Sequence, residues 1–196
     1  MPRQSRAEAT RASLLAATLA SLHDRGYAGT STQEVCRRAG VSRGTLLHHF
    51  PTRIDLLVAA LDAILIERVE NFLAVHRGTE PVPMPMLVRS LWGQWKGPVY
   101  VAWLELAVAA RTEPALQEPM RSVMARFDVE ILAAFHELVD VGDLPPAIAD
   151  VLPFLTFAVF NGLAVSRGYG ETDQEEPVLN LIEMLAGLLP ALRGAL

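Results

Sequence analysis

The sequence predicts an all-α protein of about nine helices. Almost every segment repeats its apolar residues at spacings of three and four, and no stretch alternates apolar and polar residues as a half-buried strand does. Residues that favour helix starts and helix stops recur in step with these segments. Because 51% of the 196 residues are hydrophobic, the chain can also bury a sizeable core.

The first four predicted helices are marked by residues that cap helix starts. Each begins with serine or threonine, and in three of them a carboxylate follows three residues later, in the position of a capping box or near the positive end of the helix. The caps are Ser5, Ser31, Ser42 and Thr52, and the carboxylates are Glu8, Glu34 and Asp55. Gly26 ends the first helix, Gly40 supplies the turn after the second, and the third runs to about His49.

The fourth predicted helix is long and joins the two halves of the chain without a flexible linker, so that a shift in one half can move the other. Three prolines then predict an extended connector, at Pro81, Pro83 and Pro85. The later helices are predicted, with approximate ends, over Met86–Lys96, Pro98–Arg111, Pro114–Leu138, Pro146–Gly168 and Pro177–Arg193.

Charge is distributed unevenly along the chain. Up to Arg53 there are eight arginines and three acidic residues, a formal charge of +5, whereas the rest of the chain carries −10. A basic N-terminal head on an acidic body is typical of a module that binds phosphates, and the body is not expected to bind DNA.

The rest of the composition predicts a cytoplasmic protein without a membrane partner. Cys36 is the only cysteine, so the chain has neither a disulfide framework nor a zinc set. The N-terminus has no apolar run of the signal-peptide kind. The apolar run over residues 151–165 is shorter than the roughly 20 residues that span a bilayer. We expect it to be a buried core or interface helix.

Residues 31–49 have the pattern of a helix-turn-helix, in which the second helix enters the major groove of DNA. The residues expected to pack its helices together are Val35, Cys36, Ala39, Val41 and Leu46. On the outer face, Arg43 can reach a guanine edge and Gly44 lets the backbone approach the bases. A glycine inside a helix costs about 1 kcal/mol relative to alanine, so Gly44 is expected to have a function.

Other head residues are expected to hold DNA phosphates. Thr32 and Thr45 offer hydroxyl groups, and Arg53 offers a charge. The adjacent His48 and His49 point about 100° apart on a helix and have no further ligand at a suitable spacing, so we predict no metal and no other cofactor. We expect His48 to contact phosphate, and His49 to contact phosphate or to pack.

These residues resemble the tetracycline-repressor (TetR) family of bacterial regulators. The matching motifs are Gly26-Tyr27, Thr30-Ser31-Thr32, Ala39-Gly40-Val41-Ser42, Gly44-Thr45-Leu46, His48-His49-Phe50 and Leu56-Leu57. The resemblance implies a homodimeric repressor that binds a palindromic operator in double-stranded DNA and is released by a small molecule. It implies a helix-turn-helix DNA-binding domain over residues 1–51 and a helical effector-binding and dimerisation domain over residues 52–196.

The residues and the resemblance together give a set of predicted DNA contacts. They are Thr32, Gln33, Ser42, Arg43, Gly44, Thr45, Leu47, His48, His49 and Arg53. Leu47 departs from the family, which usually has tyrosine there. Leucine cannot hydrogen-bond phosphate, although it can touch a thymine methyl group. Arg53 stands where lysine is common and preserves the charge.

Glu105 is the only charge between Val99 and Ala110 in the apolar sixth predicted helix. It is either paired, with an arginine such as Arg89 or Arg167, or it lines a cavity. Asn161, an isolated polar residue of the apolar eighth predicted helix, is likewise either paired or lines a cavity. The residues predicted to line an effector pocket are Trp92, Trp95, Trp103, Glu105, Met120, Met124, Phe127, Phe157 and Asn161. They favour a mainly apolar or aromatic effector, although such residues can equally fill a core.

The last two predicted helices are apolar on nearly all sides, and few elements of the same chain remain to cover them. We therefore expect them to form a four-helix bundle with a second copy, the alternative being core helices of a monomer. The residues assigned to this interface are Phe154, Val165, Leu181, Ile182, Leu185, Leu188 and Leu189.

Two other functions are weighed against a ligand-released repressor. An enzyme is not expected, because no nucleophile or phosphate loop has a recognisable setting. The only support for an enzyme would be an acid–base pair formed by His136 and Glu105, whose geometry the sequence does not fix. The second alternative is a DNA-binding regulator that acts without an effector, or that activates transcription.

Overall fold

The computed structural model describes residues 2–76, 84–139, 144–167, 170 and 173–188, with side chains from residue 6 onward except those of residues 84 and 85. Within these residues the regular secondary structure is helical throughout. The helices are α1 (Pro2–Gly29), α2 (Thr32–Ala39), α3 (Arg43–His49), α4 (Arg53–His76), α5 (Met84–Trp95), α6 (Pro98–Ala110), α7 (Pro114–Leu138), α8 (Pro146–Ala149), α9 (Leu152–Arg167) and α10 (Glu175–Leu188). The prediction of an all-α chain is confirmed.

Three helices, α1, α5 and α10, begin earlier than the sequence pattern predicts. α1 begins at Pro2, before the predicted cap Ser5. α5 begins one residue before Pro85, which therefore lies in a helix and not in the predicted connector. Proline fits in a first turn because its missing N–H has no helical partner there. The other connector prolines, Pro81 and Pro83, lie outside the described residues.

The predicted eighth helix is divided into the single turn of α8 and the longer α9. Pro153 has no N–H to donate to the carbonyl of Ala149, so the helical ladder cannot run continuously from one to the other. Counted as one, they bring the described part of the chain to nine helices, the number predicted. α10 begins at Glu175, two residues before the predicted Pro177, and the predicted end near Arg193 lies outside the described residues.

The chain folds as two compact units. The first consists of Met1–Glu67 and Pro98–Phe127, and the second of Arg68–Gly97 and Asp128–Leu196. The N-terminal helices thus share a unit with α6 and the first part of α7. The functional boundary between residues 51 and 52 does not follow this division and stays a prediction.

An apolar cluster in the first unit packs α1, α2, α3 and the start of α4 together. Its buried members are Leu14, Leu15, Ala17, Val35, Cys36, Leu46, Phe50, Leu56 and Ala60, with Ala39 and Val41 packed against them. The packing predicted for the helix-turn-helix is therefore confirmed. Cys36 is a free thiol inside this cluster, where it acts as a small apolar side chain.

In the second unit, Arg89 of α5 makes several polar contacts with α10. The guanidinium of Arg89 binds the carboxylates of Glu176, at 2.8 Å, and of Glu183, and it donates to the side-chain oxygen of Asn180 at 2.6 Å. These contacts fix which face of α10 is turned toward α5.

One helical segment among the described residues is long and apolar enough to cross a membrane by length and composition. It is the 22-residue stretch Pro146–Arg167, which is longer than the apolar run considered in the sequence. The indication is weak, because the buried core helix of a water-soluble protein can pass the same test of length and composition.

Candidate nucleic-acid interface

Caps at both ends fix α2 and the turn after it. The Ser31 hydroxyl accepts a hydrogen bond from the N–H of Glu34 at 3.1 Å. Gly40 has φ 67° and ψ 31°, and its N–H donates to the carbonyl of Cys36. Glycine adopts this left-handed conformation readily because it has no Cβ. The predicted start and stop of this helix are confirmed.

α3 is anchored on one side and open on the other. The Ser42 hydroxyl accepts from the N–H of Thr45 at 3.1 Å and shares a hydrogen bond of 2.9 Å with its hydroxyl group. Leu46 is fully buried in the cluster below. The exposed residues of α3 are Arg43, Gly44, Leu47 and His48. A short helix is thus held by its cap and core while its other face stays open to a partner.

The predicted DNA contacts lie within 22 consecutive residues, from Thr32 to Arg53. Those that are exposed are Gln33, Ser42, Arg43, Gly44, Leu47 and His48, and those that are partly buried are Thr32, Thr45, His49 and Arg53. None of the ten is fully buried, so all can present some surface to DNA. Their contact with DNA stays a prediction.

Arg43 and Gly44 are not used inside the fold. The guanidinium of Arg43 has no partner among the described residues. A Cβ added at Gly44 would meet only the Ser42 hydroxyl, at the ordinary contact distance of 3.8 Å. Internal packing therefore gives no reason for a glycine here, although the helix disfavours it by about 1 kcal/mol relative to alanine. A close approach of DNA to this backbone, which stays a prediction, would supply such a reason.

The carboxylate of Glu34 forms ion pairs with three arginines of the head. Its carboxylate pairs with Arg25 at 3.2 Å and with Arg37 and Arg38 at 2.7 Å, and Arg38 also pairs with Asp24 at 2.7 Å. Hydrogen bonds from Arg37 and then Arg38 lower the pKa of Glu34 from 4.5 to about 2. The carboxylate therefore stays ionised at neutral pH and ties the end of α1 to α2.

Arg53 is partly used inside the fold. Its Nε donates to the carbonyl of Thr30 at 2.7 Å, and its Nη2 donates to the carbonyl of Tyr27. The guanidinium also lies over the Tyr27 ring, 4.2 Å from the ring centroid. A guanidinium has five N–H donors, so the predicted phosphate contact has to use those that remain.

The histidines of α3 stand edge to face. The ring centroids of His48 and His49 are 5.6 Å apart, and the His49 ring lies 6.3 Å from that of Phe50. This neighbour supports a packing role for His49, whereas His48 is exposed. Among the described residues no group of three or more His, Cys, Asp or Glu is placed to hold a metal ion.

The same head matches a known family. The family model described as bacterial regulatory proteins, tetR family, matches residues 14–60. An uncharacterized HTH-type transcriptional regulator of Mycobacterium tuberculosis is 32% identical over 194 residues, which cover 96% of each chain. The chain belongs to the tetR family.

Further comparisons agree with membership of the tetR family. The HTH-type transcriptional regulator CymR of Pseudomonas putida is 35% identical over 175 residues, which cover 87% of this chain and 84% of CymR. A solved structure from Rhodococcus sp., described as a TetR-family transcriptional regulator, has a TM-score of 0.70 and 26% identity, and the match covers 91% of this chain and 98% of that one. This chain is therefore a transcriptional regulator and not an enzyme.

Glu105 has a partner that the sequence does not predict. Its Oε2 accepts a hydrogen bond from the backbone N–H of Tyr27 at 2.6 Å. Of the two alternatives that the sequence left open, pairing with Arg89 or Arg167 is wrong, because these arginines bind Glu183 and Glu175 and a backbone N–H binds Glu105. The acid–base pair of His136 and Glu105, considered for an enzyme, is not formed either. The Nε2 of His136 lies 2.8 Å from Oδ1 of Asp150. The only sequence signal for this contact was an isolated charge in an apolar helix.

The residues predicted to line an effector pocket fall into both units. The first unit holds Trp103, Glu105, Met120, Met124 and Phe127, and the second holds Trp92, Trp95, Phe157 and Asn161. In the first unit, the indole Nε1 of Trp103 lies 3.3 Å from the sulfur of Met124. Whether these residues bind an effector stays a prediction.

The aromatic residues of the second unit form a connected cluster. Ring centroids are 5.2 Å apart between Trp92 and Phe160, and 4.8 Å apart between Trp95 and Phe157. The indole Nε1 of Trp95 donates to the side-chain oxygen of Asn161 at 3.1 Å. Asn161 therefore has a partner, which is one of the two outcomes that the sequence left open.

The predicted dimer residues are mostly exposed. Phe154, Leu181, Leu185 and Leu188 are exposed, Val165 and Ile182 are partly buried, and Leu189 lies outside the described residues. Large apolar side chains on an exposed surface are compatible with an interface, but this use of them stays a prediction.

Arg43→Ala and Arg53→Ala are expected to weaken DNA binding in different ways. Loss of Arg43 should relax specificity at one operator position, by roughly 1–3 kcal/mol, because a base edge loses its partner. Loss of Arg53 should weaken all operator variants alike, and should reduce the slope of log affinity against log salt by about 1 if a phosphate contact is lost. Titration of both variants against single-base operator variants at several salt concentrations measures this. A uniform loss in both would contradict base reading by Arg43.

Gly44→Ala is expected to change stability and DNA binding in opposite directions. Alanine should stabilise the fold by up to about 1 kcal/mol, because the added Cβ meets no obstacle inside the protein. The same Cβ should weaken operator binding by about tenfold or more, which is about 1.4 kcal/mol, if the DNA approaches this backbone closely. Denaturant unfolding and operator titration test the two effects separately. Unchanged operator affinity would show that Gly44 does not serve a close approach.

Proposed function

We propose that this chain is a cytoplasmic repressor that binds a palindromic operator as a homodimer. A small, mainly apolar or aromatic effector releases it from the DNA. The proposal is more specific than membership of the tetR family, and each of its three parts is supported by a different region of the chain.

The proposal for DNA binding rests on the open face of α3. Arg43 and Gly44 are exposed at the N-terminal end of this helix, where side chains of a helix-turn-helix reach base edges. Neither is needed by the rest of the protein, since Arg43 has no partner among the described residues and Gly44 has room for a larger side chain. The net positive charge of the head would hold the helix on the phosphates.

The proposal for a dimer rests on two apolar stripes. On α10 the exposed apolar residues are Leu181, Met184, Leu185 and Leu188, which follow the i, i+3, i+4, i+7 spacing of one helix face. From α8 into α9 they are Ile148, Val151, Phe154 and Leu155. Water-exposed stripes of this kind are unfavourable in a monomer, and a second copy would cover both.

The proposal for the effector rests on the aromatic cluster of the second unit. Phe157 contacts both Trp95 and Phe160, with centroids 4.8 Å and 6.2 Å apart. The indole Nε1 of Trp92 donates to Glu175 at 2.8 Å, so the cluster also has a polar edge. An apolar set of walls with a few fixed polar groups suits a small aromatic ligand.

The first test is selection of bound duplexes from a random DNA pool by the purified protein at near-physiological salt. We expect a near-palindrome whose half-sites are centred about one helical turn or more apart, because a two-fold dimer presents two α3 helices. Small aromatic compounds can then be screened for release of that operator. Recovery of no motif, with binding that disappears as salt rises, would contradict the proposed repressor.

Leu185→Glu is expected to convert the dimer into a monomer. A carboxylate placed in the apolar stripe would lose its water on association without gaining a partner, at a cost of several kcal/mol. Sedimentation velocity measures the change in mass. The matched control is Val108→Glu on α6, where a side chain of similar exposure, 57% against 53%, lies outside both stripes. A dimeric Leu185→Glu variant, or equal dissociation of the control, would contradict the proposed interface.

A further inference from the structure

The backbone of Tyr27 is held from both sides by charged side chains. Its N–H donates to Glu105 of α6 at 2.6 Å, and its carbonyl accepts from Arg53 of α4. Glu105 is 78 residues away along the chain, so this peptide is a long-range contact point inside the first unit. The DNA contacts and the dimer stripes proposed above do not account for it.

Gly26 makes this contact possible. It has φ 65° and ψ −177°, a conformation outside the helical range that turns the N–H of Tyr27 away from the hydrogen-bond ladder of α1. A Cβ at Gly26 would stand 2.7 Å from Oε2 of Glu105, closer than real Cβ atoms come. The left-handed φ favours glycine here, and a Cβ would in addition push the Glu105 carboxylate away from the N–H of Tyr27.

The same junction fixes the entry to α2. Thr30 is 1% exposed, its hydroxyl donates to the carbonyl of Gly26 at 2.8 Å, and its carbonyl accepts from Arg53 at 2.7 Å. The next residue, Ser31, is the cap of α2. A displacement of the peptide at Tyr27 would therefore be passed to the first turn of the helix-turn-helix.

We infer that Glu105 is a positioning residue for DNA binding, which holds the helix-turn-helix in its binding geometry through the N–H of Tyr27. The inference rests on the proposed function, because it concerns the same DNA-binding surface. Glu105 acts without touching DNA. A hydrogen bond to an ionised carboxylate is about twice as strong as a neutral one, so a single contact can fix the end of α1 against α6.

The test compares Glu105→Ala, Glu105→Gln and the control Val108→Ala, which removes an exposed side chain of the same helix. Two quantities are measured well below the melting temperature. One is the affinity of the active fraction for the selected operator over a range of salt. The other is the hydrogen-exchange rate of the Tyr27 amide by NMR.

In Glu105→Ala we expect the Tyr27 amide to exchange about tenfold faster or more, and operator affinity to fall on the order of tenfold for all operator variants. The salt slope should stay unchanged because no phosphate contact is lost. Glu105→Gln should recover part of both effects, since its amide oxygen can accept the same hydrogen bond without the charge. Val108→Ala should behave like the unmodified chain.

The inference is overturned if Glu105→Ala leaves either the exchange of Tyr27 or the affinity of the active fraction unchanged. A residue that serves stability alone would lower the melting temperature without changing that affinity. If Glu105→Ala does not fold, Glu105→Gln is judged by the same two readouts, with smaller shifts expected and no shift overturning the inference.

Failure of the proposed function would be recognised separately, because the unmodified chain would then select no operator. The inference is in that case decided by amide exchange over residues 31–49. Faster local exchange in Glu105→Ala without global unfolding would support a positioning role for the helix-turn-helix, and unchanged exchange would overturn it.

Discussion

Inside the first unit the backbone leaves helical geometry at Gly26, within α1, and again between the end of α1 and the start of α2. The polar groups freed by these breaks must find partners. Thr30 is buried, and its hydroxyl and carbonyl both have partners. Tyr27 is bound through its N–H and its carbonyl. The placement of α2 depends on this set of hydrogen bonds, and α3 in turn is packed on α2 through the apolar cluster of the head.

The parts of the fold that local rules govern could be predicted from the sequence. Ser31 and Ser42 cap their helices as expected, because a hydroxyl needs only the N–H three residues ahead. Thr52 and Asp55 likewise exchange hydrogen bonds at the start of α4. Gly40 could be assigned to a turn because only its own φ is involved. The exposed face of α3 follows from the same reasoning, since a buried Leu46 fixes which side of a short helix faces the core.

Contacts that join distant parts of the chain could not be predicted. Glu105 was recognised as an isolated charge, but no local pattern indicates a backbone N–H as its partner. The interior bonds of Arg53 were missed for a similar reason, because a basic residue at a helix start also fits a phosphate contact. The division at Pro153 was missed because the apolar pattern continues through it. In each case the sequence shows a residue type, whereas its role depends on which backbone groups the fold brings near it.

Leu47 is an exposed apolar residue on a helix with polar and basic neighbours, and it bears on which chemical form of DNA the protein would prefer. If Leu47 contacts a base, as proposed, it can do so only through apolar contact such as that with a methyl group, because leucine has no hydrogen-bonding group. The methyl group of thymine stands at C5 in the major groove, and enzymatic methylation of cytosine at C5 places the same group in the same position. A regulator that reads one operator position through Leu47 would therefore accept 5-methylcytosine there more readily than cytosine, and its occupancy would respond to the methylation state of the genome.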